Sequence, residues 1–275
     1  MVPPTDLASP ATRAGPPTAA VLLIGNELLS GKIRDKNGYA LARMMRRRGI
    51  RLIEMATVED DIPVIGDALL RLLARTPLVF TSGGVGPTHD DVTMAAIALA
   101  TGHPLERHEG METILRAHFK DKLTDAALKM ADLPSGIQLR AGPGWPVLRL
   151  DVPTLSDGRI YILPGIPELC QAKINTLEAL PGELPGSSVW TLEILETELD
   201  ESDLAPTLGQ IVAAFPEVEI GSYPRWTRGE SGRLRCVVRV TFEAPSEHAE
   251  RVATARARLA AALGPDVLET TAAEL

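Results

Sequence analysis

Leu78-Val79-Phe80-Thr81-Ser82-Gly83-Gly84-Val85-Gly86-Pro87-Thr88-His89-Asp90-Asp91-Val92-Thr93 runs from an apolar strand through a glycine-rich turn into a helix. The Leu78 to Thr81 run suits a strand buried on both faces of a parallel sheet. Gly83, Gly84 and Gly86 let the backbone take positive φ and approach a ligand closely. Successive N–H groups in such a turn form an anion nest. A helix beginning at Asp91 or Val92 adds its free N–H groups and its dipole. Ser82 opens the loop, Thr88 and Thr93 add hydroxyl donors, and Pro87 stiffens the turn. His89 is placed to meet a phosphate or a ring. The loop therefore reads as a phosphate or pyrophosphate site. Of Asp90 and Asp91, one is expected to cap the helix. The other is expected to bridge a divalent cation to the phosphate.

Reading towards the N-terminus, Ala20-Val21-Leu22-Leu23-Ile24 is a second buried strand ending at Gly25. The loop after it, Gly25-Asn26-Glu27-Leu28-Leu29-Ser30-Gly31-Lys32, supplies Glu27 as a further metal carboxylate or general base. Gly25 and Gly31 permit tight turns, Gly25 and Asn26 are expected at the ligand, and Lys32 is either a phosphate-neutralising cation or a solvated one. Residues 37–48 show helical apolar spacing through Leu41, Met44 and Met45, with Asn37 as the expected cap and Gly49 at the end. A strand follows over 51–58. Asp60 and Asp61 then precede Pro63, an N-cap pattern for a helix to about residue 74. The helix after the glycine turn covers 92–101 and closes at Gly102.

Strands alternating with helices give an α/β fold, a mostly parallel sheet with helices on both faces in three layers. Ligands of such sheets sit at the carboxyl ends of strands, where both glycine loops lie. Residues 103–135 read as mostly helical, and 137–150 as extended and broken by Gly and Pro. Residues 159–163 form a strand, Pro164-Gly165-Ile166-Pro167 a turn and 168–177 a helix. The Pro/Gly-rich stretch 181–186 is the expected boundary to a small α+β module with one solvated sheet face. The expected division is a disordered tail over 1–18, a large domain over 19–183 and the module over 188–268.

Composition narrows the class. The chain has 275 residues, 45% hydrophobic and 23% charged, with a net charge of −8. The acidic balance speaks against a general nucleic-acid binder. Arg46-Arg47-Arg48 sits at a helix end, where cations complement the dipole. Cys170 and Cys236 fit neither a disulfide framework nor a metal motif and read as buried thiols. No run approaches the roughly 18 apolar residues of a membrane span. The N-terminal stretch lacks the basic start and apolar core of a signal peptide. No membrane partner and a cytoplasmic location are expected. His103, His108 and His118 read as structural, and no Ser-His-Asp or Cys-His set suggests covalent catalysis.

Three segments carry a resemblance. Ile24-Gly25-Asn26-Glu27-Leu28-Leu29-Ser30-Gly31, the stretch from Thr81 to Thr93, and Leu163-Pro164-Gly165-Ile166-Pro167-Glu168 resemble, in order, the motifs of the MoaB/Mog molybdopterin-binding domain family in its CinA-like (competence/damage-inducible protein) branch. His89 and Trp145-Pro146-Val147 resemble the version at the N-terminus of FAD synthases. Ile220-Gly221-Ser222-Tyr223-Pro224 is similar to the region that follows this domain in both. Many bacterial relatives carry Asn-Pro-x-Gly-x-Ala-Pro-Gly where this chain has Ala141-Gly142-Pro143-Gly144-Trp145-Pro146. No deamidase and no adenylyltransferase domain is expected after residue 275. The resemblance implies a MoaB/Mog-like fold, Pro164 and Gly165 at the ligand, and self-association as a homo-oligomer. Three readings follow from it. The first is a hydrolase using Mg, Mn or Co on Glu27, Asp90 and Asp91 to cleave the pyrophosphate of ADP-ribose or FAD type substrates. The second is a molybdopterin-binding protein of molybdenum-cofactor assembly. The third is a non-catalytic module binding a nucleotide or pterin phosphate.

Overall fold

The structure is a computed structural model, and it describes residues 16–140, 145–155, 157–186, 190–228 and 234–268. The expected tail lies outside the described residues up to position 15, as does the segment 141–144. The chain divides into two compact units between Gly186 and Ser187.

In the first unit the elements run β1 (Thr18–Ile24), α1 (Asn26–Leu29), α2 (Asn37–Arg47), β2 (Arg51–Val58), α3 (Ile62–Leu73), β3 (Leu78–Ser82) and α4 (Thr93–Thr101). After them come β4 (Leu105–Arg107), α5 (Glu109–Phe119), α6 (Asp125–Leu128), β5 (Asp132–Pro134), β6 (Gln138–Arg140), β7 (Val147–Val152), β8 (Gly158–Leu163) and α7 (Pro167–Ala179). The main sheet has the order β2-β1-β3-β8-β7-β6. It is parallel from β2 to β8 and antiparallel from β8 to β6.

The period-2 pleat of β1 divides its side chains between two cores. Ala20, Leu22 and Ile24 pack with Ile65, Leu69 and Leu72 of α3 and Ile97 of α4. Ala19, Val21 and Leu23 pack on the other face with Leu41, Met44 and Met45 of α2 and Ile174 of α7. This is the physical content of an apolar run with no alternation, and it makes the three layers of the α/β fold. Truncating Leu22, fully buried between them, is worth about 2–5 kcal/mol.

Local chemistry sets the element ends. Asp61 caps α3, its Oδ1 accepting from the Val64 N–H at 3.1 Å. Gly102 closes α4 in the left-handed region at φ 71°. Asn37 is not the cap of α2, because Asp35 Oδ1 accepts from the N–H groups of Asn37 and Gly38 at 2.9 and 3.0 Å. Residues 103–135 are mostly helical, through α5, α6 and short 3-10 turns, but their two ends form the short strands β4 and β5, which pair as a separate sheet. The stretch 181–186 is also more than a linker, since Glu183 and Leu184 are buried.

The second unit holds β9 (Trp190–Thr197), α8 (Glu201–Ala214), β10 (Glu219–Arg228), β11 (Leu234–Pro245), α9 (Ala249–Leu263) and β12 (Val267–Leu268). Its antiparallel sheet has the order β10-β11-β9-β12. Val238, Val240 and Phe242 face Leu204 and Ile211 of α8 and Val252 and Leu259 of α9. On the other face of the sheet, which is largely covered rather than solvated, Arg239 meets Glu196 at 2.8 Å. No helix among the described residues is long and apolar enough to cross a membrane.

Candidate ligand site at the glycine turn

The chain leaves β1 towards β2 on one side and β3 leads to β8 on the other, so the order reverses between β1 and β3. Loops leaving the carboxyl ends of such neighbours part and open a crevice. Here the two loops start in contact. A Cβ on Gly83 would lie 2.0 Å from the Ile24 carbonyl oxygen, and Gly83 and Gly84 have φ of 113° and 62°. Only glycine fits this crossing.

A cavity of about 920 Å³ opens at this edge. That is towards the upper end of small-molecule sites. Of the expected site residues, Glu27, Ser82, Gly83, Gly84, Gly86, Pro87, Thr88, Asp91, Pro164 and Gly165 line it. One amide fastens three of the loops. Asn37 Nδ2 donates to Ser82 Oγ at 2.9 Å and to the Gly165 carbonyl at 2.7 Å. Ser82 Oγ donates onward to the Pro164 carbonyl at 3.0 Å.

The glycine turn keeps part of its hydrogen-bonding capacity in reserve. The Gly83 N–H donates to the Leu163 carbonyl, and the Thr88 N–H donates to Asp91 Oδ2 at 2.8 Å. The N–H groups of Gly84, Val85 and Gly86 have no partner among the described residues. The free donors are therefore this short central arc rather than the whole loop.

Several expected ligand contacts sit elsewhere. Thr93 is buried and braces the turn, its hydroxyl donating to the Gly83 carbonyl at 2.8 Å and its N–H to the Gly84 carbonyl. Gly25 is buried beneath its loop, and its N–H donates to the Val58 carbonyl. Asn26 is exposed and tied by its N–H to Asp60 Oδ2 at 2.8 Å. Lys32 is exposed, and neither it nor Asn26 lines the cavity. His89 is 98% exposed and points away from the lining. Neither Asp90 nor Asp91 caps α4, whose N-cap is Val92 with no side-chain bond.

The three carboxylates do not gather as one preformed set. Among the described residues no three His, Cys, Asp or Glu side chains do. Asp90 lies outside the lining with its side chain 57% exposed. It shares the Thr88 hydroxyl with Asp91: Thr88 Oγ1 is 2.6 Å from Asp90 Oδ1 and also bonds Asp91 Oδ2. The Thr88 hydroxyl, and then its own backbone N–H and His89, hold the Asp90 carboxyl below its usual range. A single hydroxyl proton cannot serve both acids, so the pair retains acceptor capacity. Glu27 lies close over bare backbone, where a Cβ on Gly25 would be 2.5 Å from its Oε1. Two cavity-lining carboxylates of hard oxygen fit Mg²⁺ or Mn²⁺, which bind through one or two carboxylates and substrate phosphates rather than a protein cage.

Beyond Trp145 and Pro146, whose loop the resemblance puts at the ligand, several lining residues carry no ligand signal in the sequence. His118 of α5 stacks edge-on to Trp145 with centroids 5.3 Å apart, and both line the cavity with Met94, Met111 and Met130. Helical spacing marks Met111 and His118 only as an inward face. Lys173 of α7 also lines the cavity and donates to the Trp145 carbonyl.

A crevice at a topological switch point, floored by glycine backbone and bordered by acids, defines a small-molecule-binding α/β domain. Residues 20–181 match the family model described as a probable molybdopterin binding domain. The chain belongs to that family. Residues 190–272 match the FAD synthase middle domain. A protein of Aeropyrum pernix is 31% identical over 238 residues, covering 83% of this chain and 86% of its own length. A probable FAD synthase of Caenorhabditis briggsae is 29% identical over 78% of this chain, which spans only 45% of that enzyme. The crystal structure of the protein CinA from Thermoplasma acidophilum is 30% identical, with a TM-score of 0.55 over 59% of this chain and 96% of its own. These matches agree with the MoaB/Mog and CinA-like resemblance carried by the three motifs.

Proposed function

We propose that the cavity holds a nucleotide-diphosphate compound of the ADP-ribose or FAD type and hydrolyses its pyrophosphate bond. The observation that carries this reading is the run of free N–H groups at Gly84, Val85 and Gly86 beside the carboxylates of Glu27 and Asp91 in one cavity. Glu27 and Asp91, with Asp90 at the mouth, would hold a divalent cation, which when bound neutralises charge on the diphosphate. The glycine N–H groups donate to the phosphate that leaves, where negative charge grows as the bridging P–O bond breaks. Glu27 orients the attacking water by accepting its hydrogen bond. Such catalysis is positioning and electrostatics, so no protein nucleophile is needed.

The test is turnover of ADP-ribose, FAD and NADH with Mg²⁺, Mn²⁺ or Co²⁺, with products separated by chromatography. AMP release that is lost in Asp91→Ala is the expected result. Retained metal-dependent turnover in that variant would falsify the assignment. The family's own description favours a second reading, a molybdopterin-binding protein of cofactor assembly. The Met94, Met111, Met130 and Trp145 walls would suit a flat pterin. A fluorescent pterin co-purifying with the protein, and no AMP from any compound, would select it.

A further inference from the structure

Lys173 is the cation of this cavity that the fold has drawn out of water. Arg34 and Lys36 also line it, but both are exposed at its edge, whereas Lys173 is half-buried. No carboxylate pairs with Lys173 among the described residues, and its one hydrogen bond goes to the Trp145 carbonyl. An ammonium carries three donors, so two remain for a ligand. Desolvation without a counter-charge pushes Lys173 down to about 8.

Its position relative to the glycine turn is fixed by α7. That helix starts at Pro167, next to Gly165, where a Cβ would lie 3.3 Å from the Gly83 Cα. From Pro167 to Lys173 the axis rises roughly 9 Å. Helical side chains lean towards the N-terminus, which brings the ammonium back towards the turn. The turn and Lys173 thus bracket a ligand longer than a single phosphate.

Resting on the reading of the cavity as a nucleotide-diphosphate site, we propose that Lys173 receives the second phosphate and makes the cavity select diphosphate over monophosphate esters. Lys173 supplies the counter-charge for the phosphate that the glycine N–H groups do not reach, and the Trp145 carbonyl holds it. Other charged groups near α7 are already engaged. Arg47 of α2 is bridged to Glu178, Arg43 stacks on Tyr39, and Arg149 of β7 binds Asp151 and Glu183. Within the cavity the remaining ionisable side chains are Glu27, Asp35 and Asp91, the cations Arg34 and Lys36, and His118.

The experiment is calorimetric titration with ADP and with AMP at pH 8, in buffers of differing ionisation heat. Wild type is expected to bind ADP at least about tenfold more tightly than AMP, with proton uptake as the anion recharges Lys173. Lys173→Met should bring the ADP/AMP ratio to within twofold and abolish the uptake. Lys173→Arg should keep the preference without uptake, because guanidinium is always charged. An unchanged ratio in Lys173→Met, or no proton uptake by wild type, overturns the role of Lys173 while leaving the cavity a nucleotide site. Wild type that binds neither nucleotide overturns both. If Lys173→Met fails to fold, wild type against Lys173→Arg still decides through proton uptake.

Discussion

Two acidic clusters in the first unit are built on opposite rules. Glu183 is 1% exposed, and every acceptor face is answered. Arg140 Nε donates to it at 2.7 Å, Arg149 at 3.2 Å and the Tyr161 hydroxyl at 2.8 Å. At the glycine turn, Asp90 and Asp91 converge on one threonine hydroxyl, with no arginine or lysine bridged to either. A buried carboxylate that is fully paired anchors structure. Acids left short of positive charge beside unpartnered N–H groups are arranged for something that arrives.

That contrast can be broken from either side. The largest expected effect is on activity. Asp91→Ala should lower AMP release by at least about 100-fold, as loss of charge stabilisation does, while stability measured by urea unfolding changes by under about 1 kcal/mol. Next, Glu183→Ala should cost about 3–5 kcal/mol of stability, because it strands Arg149 and Arg140 without their partner. Binding of ADP should be unchanged under conditions where that variant is folded. A loss of catalysis with full stability at Glu183, or the reverse at Asp91, would dissolve the distinction.

A smaller effect follows from pH. Burial alone would raise the Glu183 carboxyl, but hydrogen bonds from Tyr161, Arg140 and Arg149 outweigh it and hold the group below its ordinary value. The folded state then binds the proton less readily than the unfolded chain. Its contribution is complete above the unfolded carboxylate value of about 4.3 and is lost as pH falls through the lower folded value. Urea midpoints measured from pH 6 down to 3 should fall steeply in wild type and less steeply in Glu183→Gln. The smallest effect is expected at His89→Ala, where a fully solvated ring predicts activity within about twofold of wild type and stability within about 0.5 kcal/mol.

The sequence exposed the parts of the fold that rest on continuous chemistry. The unalternating run in β1 announces a strand with two buried faces, and the glycine turn between β3 and α4 announces the site. Asn37 shows where that legibility stops. Beside a helix start, asparagine is read as a cap, and only the approach of β3 and the Pro164-Gly165 turn reveals that its amide binds three loops. Thr93 was misplaced for the same reason, since its hydroxyl faces the brace rather than the ligand. Glu183 sits in a Pro/Gly-rich stretch that looks like a linker, and its partners come from three separate strands. Lys173 carries no local pattern at all; its meaning comes from the carbonyl of a residue in another loop.

The place of β1 between two parallel partners has a mechanical consequence. Its pairing with β2 runs from Thr18 to Ile24 and its pairing with β3 from Ala20 to Leu23, both parallel. A tether attached ahead of Pro16 would pull along the axis of β1, away from the cavity end at Ile24. Load would then fall in shear on both ladders together, instead of peeling bonds apart one at a time.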